Sequence, residues 1–213
     1  MKLKKILFSF PEKHLFMAAI ISGIFYNSWI LGYFLNRKEV QNAYYSVLES
    51  PGKPHYLFYV FLDLISGFLI ILIGLYLNAK IKAYHKIIKY YLVFGSLIIL
   101  DAIYPITDKC STTIEACGVS LTQIFSYHDV IGILQFITIF ILLKNIKNIA
   151  NKHHNLKFKK LIKYAFRGYL TTLIIMIISI PLDFMTGLTQ GLVIVFTAFT
   201  IVLTPLVLVI DNA

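Results

Sequence analysis

The sequence has little charge. Only 14% of its residues are Asp, Glu, Lys or Arg, whereas 58% are hydrophobic and the mean hydropathy is +0.77. A soluble domain of this size needs more charged groups to cover its surface. The composition therefore excludes an ordinary soluble domain and predicts an integral membrane protein.

The motifs of several enzyme classes are also missing. The chain contains no P-loop, no dinucleotide-binding glycine fingerprint, no HExxH, no GxSxG and no CxxC pair. No reaction class can therefore be read from a local motif. Candidate functional residues have to come from polar groups at membrane depth.

Six apolar stretches are candidates for membrane helices, which need about 20 mainly apolar residues each. The third and fifth are short, and the fifth runs into Pro181, which predicts helices that end just inside the membrane or tilt little. The first has no cleavage pattern and is expected to remain as a helix. The predicted fold is all-α, one bundle of six transmembrane helices at residues 15–35, 56–77, 91–107, 127–143, 169–182 and 188–210.

Acidic residues are scarcer than basic ones, ten against twenty, which gives a formal net charge of +10. Sixteen of the basic residues fall on one side of the predicted bundle and four on the other. Short basic loops stay cytoplasmic, so both termini are predicted to be cytoplasmic, in the inner membrane of a bacterium. The basic loops are expected to attract anionic lipid headgroups, at about 1 kcal/mol per residue, rather than nucleic acid.

The inner connection at residues 144–168 is long and basic. Apolar residues recur among its lysines from Leu156 to Ala165, which predicts an amphipathic helix. Two placements are open. The helix either lies on the cytoplasmic leaflet or extends the fifth membrane helix into the cytoplasm.

Cysteine is rare. Cys110 and Cys117 share one predicted extracytoplasmic segment, where disulfides persist. A disulfide would close a loop of about eight residues and contribute roughly 2–3 kcal/mol in the chain-entropy model. Free or metal-binding thiols are the alternative, although the spacing fits no zinc pattern. The disulfide is the favoured prediction.

Ionisable residues inside the apolar stretches are the first candidates for a site, because burying one costs several kcal/mol unless it is paired or hydrated. Asp63 lies about 10 Å into the second stretch, and Asp101 lies at a similar distance from the outer end of the third. The two acids could therefore face each other. Asp63 shares its helical face with Ser66 and Gly67, which predicts that it points into the bundle. A structural hydrogen bond is the alternative role for both acids.

Further polar residues are predicted near the same outer end: Asp108, His128, Asp129 and Asp183. Together with Asp63, Ser66 and Asp101 they would form an outward-facing pocket of acids with an imidazole. That composition suits a divalent cation, a proton relay or a cationic headgroup. A metal would use His128, Asp63 and Asp101. The simpler alternatives are a capping box for Asp129, after Ser126, and loop positions for Asp108 and Asp183.

Two short motifs resemble a known family. Asp101-Ala-Ile-Tyr104-Pro105-Ile-Thr107-Asp108, a polar loop and then His128-Asp129-Val-Ile-Gly132 resemble the bacterial polytopic membrane family catalogued as domain of unknown function 998. Its members show a Phe/Tyr-Pro-x-Asp-type element at the end of the third helix and a His that opens the fourth. The resemblance implies a six-helix bundle and no assigned reaction, and Tyr104 joins the candidate site residues with this motif.

Three functions are consistent with these residues. The leading hypothesis is a binding or transport protein whose outer pocket takes a cation, a proton or a lipid headgroup. The second is a metal-dependent lipid hydrolase with a metal-bound water as nucleophile. The sequence lacks the paired His in a late helix that the alkaline-ceramidase and adiponectin-receptor-like hydrolases show, which counts against a catalytic zinc. The third is a non-catalytic partner of another membrane protein.

Overall fold

The computed structural model describes residues 10–35, 48–104, 127–152, 156–182 and 186–212. Within these ranges all regular structure is helical, and the prediction of an all-α chain is confirmed. A short 3₁₀ turn at Lys82–Tyr84 joins the third and fourth helices. The α-helices are α1 (Phe10–Tyr26), α2 (Trp29–Leu35), α3 (Tyr56–Lys80), α4 (His85–Ile103), α5 (Tyr127–Lys152), α6 (Leu156–Leu182) and α7 (Thr186–Asn212).

Among the residues that the structure describes, five helical segments are long and apolar enough to cross a membrane: Glu12–Gly32, Tyr56–Lys80, Tyr127–Lys152, Leu156–Ile180 and Gly187–Asn212. The other long helix, α4, has 19 residues and carries charged residues near both ends. Large apolar side chains face outward from these helices, as a hydrocarbon environment allows. The chain is therefore a helical membrane protein.

The helices pack as a closed ring in chain order. Each of α3, α4, α5 and α6 contacts the next helix, and α1 closes the ring by packing on both α3 and α7. A further contact joins α5 to α7. The aromatic side chains of Tyr91, Phe94 and Tyr169 are fully buried among these helices.

Two glycines let α3 and α4 approach closely. A Cβ atom on Gly67 would lie 2.9 Å from the carbonyl oxygen of Gly95, and one on Gly95 would lie 3.0 Å from that of Gly67. Asp63 and Asp101 lie four and six residues from this contact toward the same end of the bundle, which is about 6 and 9 Å at 1.5 Å per residue. The two acids therefore lie at similar depths.

The first predicted helix is interrupted. It begins at Phe10 rather than at residue 15, and Asn27 and Ser28 separate α1 from α2. The Asn27 side-chain amide donates to the carbonyl of Gly23 at 2.9 Å, and the Trp29 indole N–H donates to Asn27 Oδ1 at 3.1 Å. A Cβ on Gly191 would come within 2.8 Å of the Trp29 ring. The break is thus stabilised by a contact between α2 and α7.

Other helix boundaries also differ from the prediction, and the fourth predicted helix, 127–143, continues to Lys152. The third predicted helix, 91–107, is α4 and ends at Ile103, because Tyr104 precedes Pro105 and takes a non-helical φ of −111° and ψ of 66°. The fifth, 169–182, is the last part of α6, which begins at Leu156. Of the two placements for the basic segment, the structure shows the extension of this helix. Long lysine side chains can reach water while the helix continues, so they do not end it.

A proline in α7 is compensated by a neighbouring helix. Pro205 has no N–H, so the carbonyl of Ile201, four residues earlier, loses its intrahelical donor. The hydroxyl of Tyr91 on α4 donates to that carbonyl at 2.9 Å. The buried carbonyl oxygen is therefore satisfied from another helix.

Candidate functional site

Asp63, Asp101, His128 and Asp129, four of the ionisable residues predicted from the sequence, lie at one end of the ring. The end of α1, the beginning of α3, the end of α4 and the beginning of α5 all lie there, because neighbouring helices run in opposite directions. The segment Leu48–Ser50, which precedes α3, lies at the same end and is buried.

Asp101 and His128 form a pair across two helices. Asp101 lies in the last turn of α4, and His128 is the second residue of α5. Nδ1 of His128 lies 2.9 Å from Oδ1 of Asp101, and the side chains are 11% and 19% exposed, respectively. The structure therefore brings these two predicted residues together, close to the surface of the bundle.

Gln135 connects this pair to the interior. Its Nε2 donates to Oδ2 of Asp101 at 2.9 Å and lies 3.4 Å from the carbonyl oxygen of Leu97. The hydroxyl of Tyr26, at the end of α1, donates to Oε1 of Gln135 at 3.0 Å. Tyr26, Gln135 and Asp101 thus form a hydrogen-bonded chain, and the ion-pair contact of His128 with Asp101 extends it to the rim; we call these four residues the relay.

Asp63 and Glu49 form a second pair. Asp63 faces the interior from α3 and is 4% exposed, and Glu49, in the segment before α3, is 2% exposed. Their carboxyl groups interact through a side-chain hydrogen bond, which requires a proton on one of them. In the part of the chain that the structure describes, no N–H or O–H donates to Glu49 Oε1 or Asp63 Oδ1. We call these two residues the carboxyl pair.

The environment of Glu49 makes its carboxyl unusually basic. Burial raises the pKa of Glu49 from 4.5 to about 7, and the nearby charge of Asp101 raises it as well. The hydrogen bond from Asp63 and the charge of His128 act in the opposite direction and lower this pKa. Burial and the neighbouring acid therefore favour the protonated form of Glu49.

Two buried hydroxyl groups accompany the carboxyl pair. Tyr59 lies one turn before Asp63 on the same face of α3 and is fully buried. Neither its hydroxyl nor the Ser50 hydroxyl, beside Glu49, has a hydrogen-bond partner among the described residues. Buried polar groups are nearly always paired, so these two hydroxyls are exceptions among the described residues.

Ser66 lies on the inner face of α3, as predicted, and contacts α1. Its hydroxyl donates to the carbonyl oxygen of Ser22 on α1 at 3.0 Å, and the hydroxyl of Ser22 lies 3.0 Å from the carbonyl oxygen of Ser66. The two hydroxyl oxygens are 3.1 Å apart. Ser66 therefore joins α1 to α3 one turn below the carboxyl pair.

The other predicted residues lie at the rim or outside the described ranges. Tyr104 is 52% exposed, and its ring centroid lies 6.3 Å from that of Tyr127. Asp129 lies in the first turn of α5, and its charge acts on His128. The structure does not describe Asp108, Asp183 or the cysteines Cys110 and Cys117, so their roles in a pocket and a disulfide stay predictions.

The three residues predicted as metal ligands are divided between two pairs. Asp63 bonds to Glu49, whereas Asp101 and His128 bond to each other. Across residues 10–35, 48–104, 127–152, 156–182 and 186–212, no group of three or more His, Cys, Asp or Glu side chains is arranged to hold a metal ion.

Four residues of this site were missed at the sequence level: Tyr26, Glu49, Tyr59 and Gln135. Gln135 carried a usable signal, since it is a polar residue inside an apolar stretch. Glu49 carried none, because it lies in a connection without periodicity. The two tyrosines are hard to distinguish from interfacial anchors, which end many membrane helices.

No protein-family model matches the chain, and no curated protein and no solved structure matches it. The resemblance to the domain of unknown function 998 therefore stays a prediction that rests on its short motifs.

Proposed function

We propose that this chain is a multi-pass membrane protein of the binding or transport type, and that it takes up protons at the carboxyl pair and the relay. The observation that carries the proposal is the burial of Glu49 against Asp63, beside the pair of Asp101 and His128. We call Glu49, Asp63, Asp101 and His128 together the cluster. Protonation of this cluster would be coupled to the binding or passage of a cationic ligand.

The charge of the cluster supports this function. Three carboxyls and one imidazole lie together, so full ionisation with a protonated His128 would leave a net charge of −2. Uncompensated charge costs several kcal/mol when it is removed from water. The cluster therefore gains stability by taking up a proton or another cation, and Glu49 does so near neutral pH.

We propose that the cluster faces the outside of the cell and that both termini are cytoplasmic, after six crossings. The hydroxyl of Tyr84, in the turn between α3 and α4, donates to the carboxylate of Asp211 near the end of α7. This contact brings the end of α7 to the bundle end that lies opposite the cluster. Lysines are concentrated there, at Lys80, Lys82, Lys86 and Lys89, as the positive-inside rule requires of a cytoplasmic face.

The same distribution of lysines supports binding of anionic lipid. The first part of α6 adds Lys157, Lys159, Lys160 and Lys163 to the cytoplasmic end. We propose that this surface holds anionic headgroups of a bacterial inner membrane, each basic residue contributing about 1 kcal/mol near the surface.

Infrared spectroscopy tests proton binding directly. The full chain is purified in detergent, and difference spectra are recorded between pH 6 and pH 8. We expect the C=O band of a protonated carboxyl to lose intensity on raising the pH, and this pH-dependent change to be absent in Glu49→Gln. Asp211→Asn makes the same chemical change at the other end of the bundle and should keep the band change.

Proteoliposomes test transport. With a pH-sensitive dye inside and a pH gradient across the membrane, wild-type protein should carry protons, and Asp63→Asn should not. A wild-type spectrum without the carboxyl change, or with the same change in Glu49→Gln, would refute proton uptake at the carboxyl pair.

A further inference from the structure

A groove lined by apolar side chains lies beside the break between α1 and α2. It has a volume of about 790 Å³, which is in the range of pockets that hold small molecules. Residues of α1, α2, α3 and α7 line it, and Asn27 and Ser28, which form the break, belong to its wall. The four residues of the cluster do not line the groove, so it is a separate feature of the molecule.

The rim of the groove is part of the surface that faces lipid. Six large side chains of the rim are between 41% and 62% exposed: Ile20, Ile24, Ile30, Leu31, Phe58 and Phe199. Because the chain is a helical membrane protein, these side chains meet the acyl chains of the bilayer. The groove is therefore continuous with the interface between protein and lipid.

The floor of the groove contains small residues that are already in use. A Cβ on Gly23 would lie 3.4 Å from the carbonyl oxygen of Ala198 and 3.4 Å from Cγ2 of Val202, so α1 and α7 approach closely here. Ala198 is 7% exposed. Helices that associate in a membrane bring small residues together at their contact, whereas the rim of this groove presents large ones. The groove therefore offers space for a flexible chain rather than a docking face for another helix.

The polar groups at the helix break are paired within the chain. The backbone N–H of Asn27 donates to the carbonyl of Ile24 at 3.1 Å, and that of Ser28 donates to the carbonyl of Phe25 at 3.0 Å. The nitrogen and the oxygen of the Asn27 side-chain amide are also bonded within the chain. A polar ligand group would have to displace one of these bonds, whereas hydrocarbon needs none of them.

Hydrocarbon is the material that fills such a space in a membrane. An unfilled gap costs the surrounding side chains their dispersion contacts, and an apolar cavity stays dry. On α7 the groove extends from Val195 to Val202, which is about 10 Å at 1.5 Å per residue. One leaflet contributes roughly 15 Å of hydrocarbon. The groove therefore has the length of a large part of one acyl chain.

We infer that the groove is a binding site for one acyl chain of a membrane phospholipid. The inference does not depend on proton uptake, and the groove is distinct from the basic surface proposed to hold anionic headgroups. Leu62 and Asn27 line the groove and adjoin Asp63 and Tyr26 in the sequence. The bound acyl chain thus contacts the helix turns that carry the carboxyl pair and the relay.

Native mass spectrometry of the full chain in mild detergent tests the inference. Detergent removes loosely held lipid, so a phospholipid that stays bound occupies a site. Palmitoyl-oleoyl phosphatidylcholine is the probe, because its headgroup carries no net charge to attract it to the basic surface. We expect one bound lipid per chain at low lipid concentration, and no binding of phosphocholine, which has the headgroup without the acyl chains.

Variants locate the bound lipid. Val195→Trp fills the groove from α7 and should weaken lipid binding by about tenfold or more. Val93→Trp is the matched control, since Val93 is a 40% exposed residue of α4 outside the groove, and it should bind lipid as the wild type does. Gel filtration reports whether each variant is folded. Val202→Phe fills the same groove if Val195→Trp does not fold.

Three outcomes overturn the inference: no bound phospholipid on the folded wild type, equal lipid binding by the wild type and the folded groove-filling variant, or a lipid-free dimer in which a second copy covers the groove. Photolabelling gives a test that needs no variant. A phosphatidylcholine with a diazirine on its acyl chain should label residues of the groove more strongly than Leu75 and Ile178, which face lipid elsewhere. Even labelling of all these residues would also overturn the inference.

Discussion

The imidazole of His128 lies 2.9 Å from the carboxylate of Asp101, and this contact joins the beginning of α5 to the end of α4. Both side chains are largely buried, and Gln135 donates to the second oxygen of the same carboxylate. Asp101 therefore holds three groups together: an imidazole at the rim, an amide in the interior and, through that amide, the hydroxyl of Tyr26.

We predict that the energies of Asp101 and His128 are coupled. His128→Ala leaves the carboxylate without its imidazole partner and should destabilise the protein by about 2 kcal/mol. This is less than the loss expected on breaking a fully buried pair, because both groups retain some exposure. Asp101→Asn should partly restore stability in that background. Unfolding of the single and double variants in detergent measures the coupling. If the stability losses of the two single variants add up to that of the double variant within about 0.5 kcal/mol, the pair is not coupled.

Stability should depend on pH through Glu49. Its pKa is higher in the folded protein, about 7, than its ordinary value of 4.5, so the folded state holds an extra proton between these pH values. The free energy of unfolding is therefore highest below pH 4.5, falls as the pH rises to about 7, and then levels off. At 1.36 kcal/mol per pKa unit the decrease is on the order of 3 kcal/mol.

Glu49→Gln removes this titration and should flatten the profile of Tm against pH across that window. Ser50→Ala alters the same segment without removing a titratable group, so it should keep the wild-type slope. Equal slopes in the wild type and Glu49→Gln would mean that Glu49 does not hold the extra proton.

The contact between α3 and α4 should not tolerate a methyl group. In Gly67→Ala the new Cβ would lie 2.7 Å from Cγ1 of Ile99 and 2.9 Å from the backbone oxygen of Gly95, which cannot rotate away. We expect a loss of about 1–3 kcal/mol in the free energy of unfolding. Separation of the helices should also disturb the carboxyl pair.

Gly132 is the matched control for this substitution. A Cβ at Gly132 meets no heavy atom of the described chain within 4 Å. Gly132→Ala should therefore leave stability unchanged or raise it by up to about 1 kcal/mol, from helix propensity alone. Similar Tm changes for the two variants would contradict the close contact at Gly67.

The hydrogen bond from Tyr91 to Ile201 should matter only because of Pro205. Tyr91→Phe leaves the carbonyl of Ile201 buried and unpaired, at a cost of about 1–3 kcal/mol. In a Pro205→Ala background, the restored N–H can bond that carbonyl, and the same substitution should cost less. A thermodynamic cycle of the four proteins in detergent measures the difference, and equal costs in both backgrounds would refute the compensation.

Hydrophobic patterning predicted much of this fold. Five of the six apolar stretches lie largely within one helix each, the first is divided between α1 and α2, and the small residues beside Asp63 predicted its inward orientation. The break at Asn27 was not predictable, because it depends on Trp29 packing over Gly191 from a distant helix. The extension of α6 to Leu156 could not be decided from the sequence, since lysines do not reveal whether a helix continues.

The site was predictable only in part. Asp63, Asp101 and His128 stood out as ionisable residues in apolar surroundings, but the sequence could not say which of them pair. That pairing depends on how α3, α4 and α5 pack around the ring. Glu49 could not be found at all, because its burial comes from the position of a connecting segment and from no local pattern.

The buried segment Leu48–Ser50 has a practical consequence for work on this protein. Epitope tags and reporter fusions are usually inserted in loops between membrane helices, on the assumption that such loops tolerate them. An insertion between Leu48 and Ser50 would displace Glu49 and abolish the carboxyl pair while every membrane helix stayed in place. The exposed turn at Pro51 and Gly52 is the safer position for a tag.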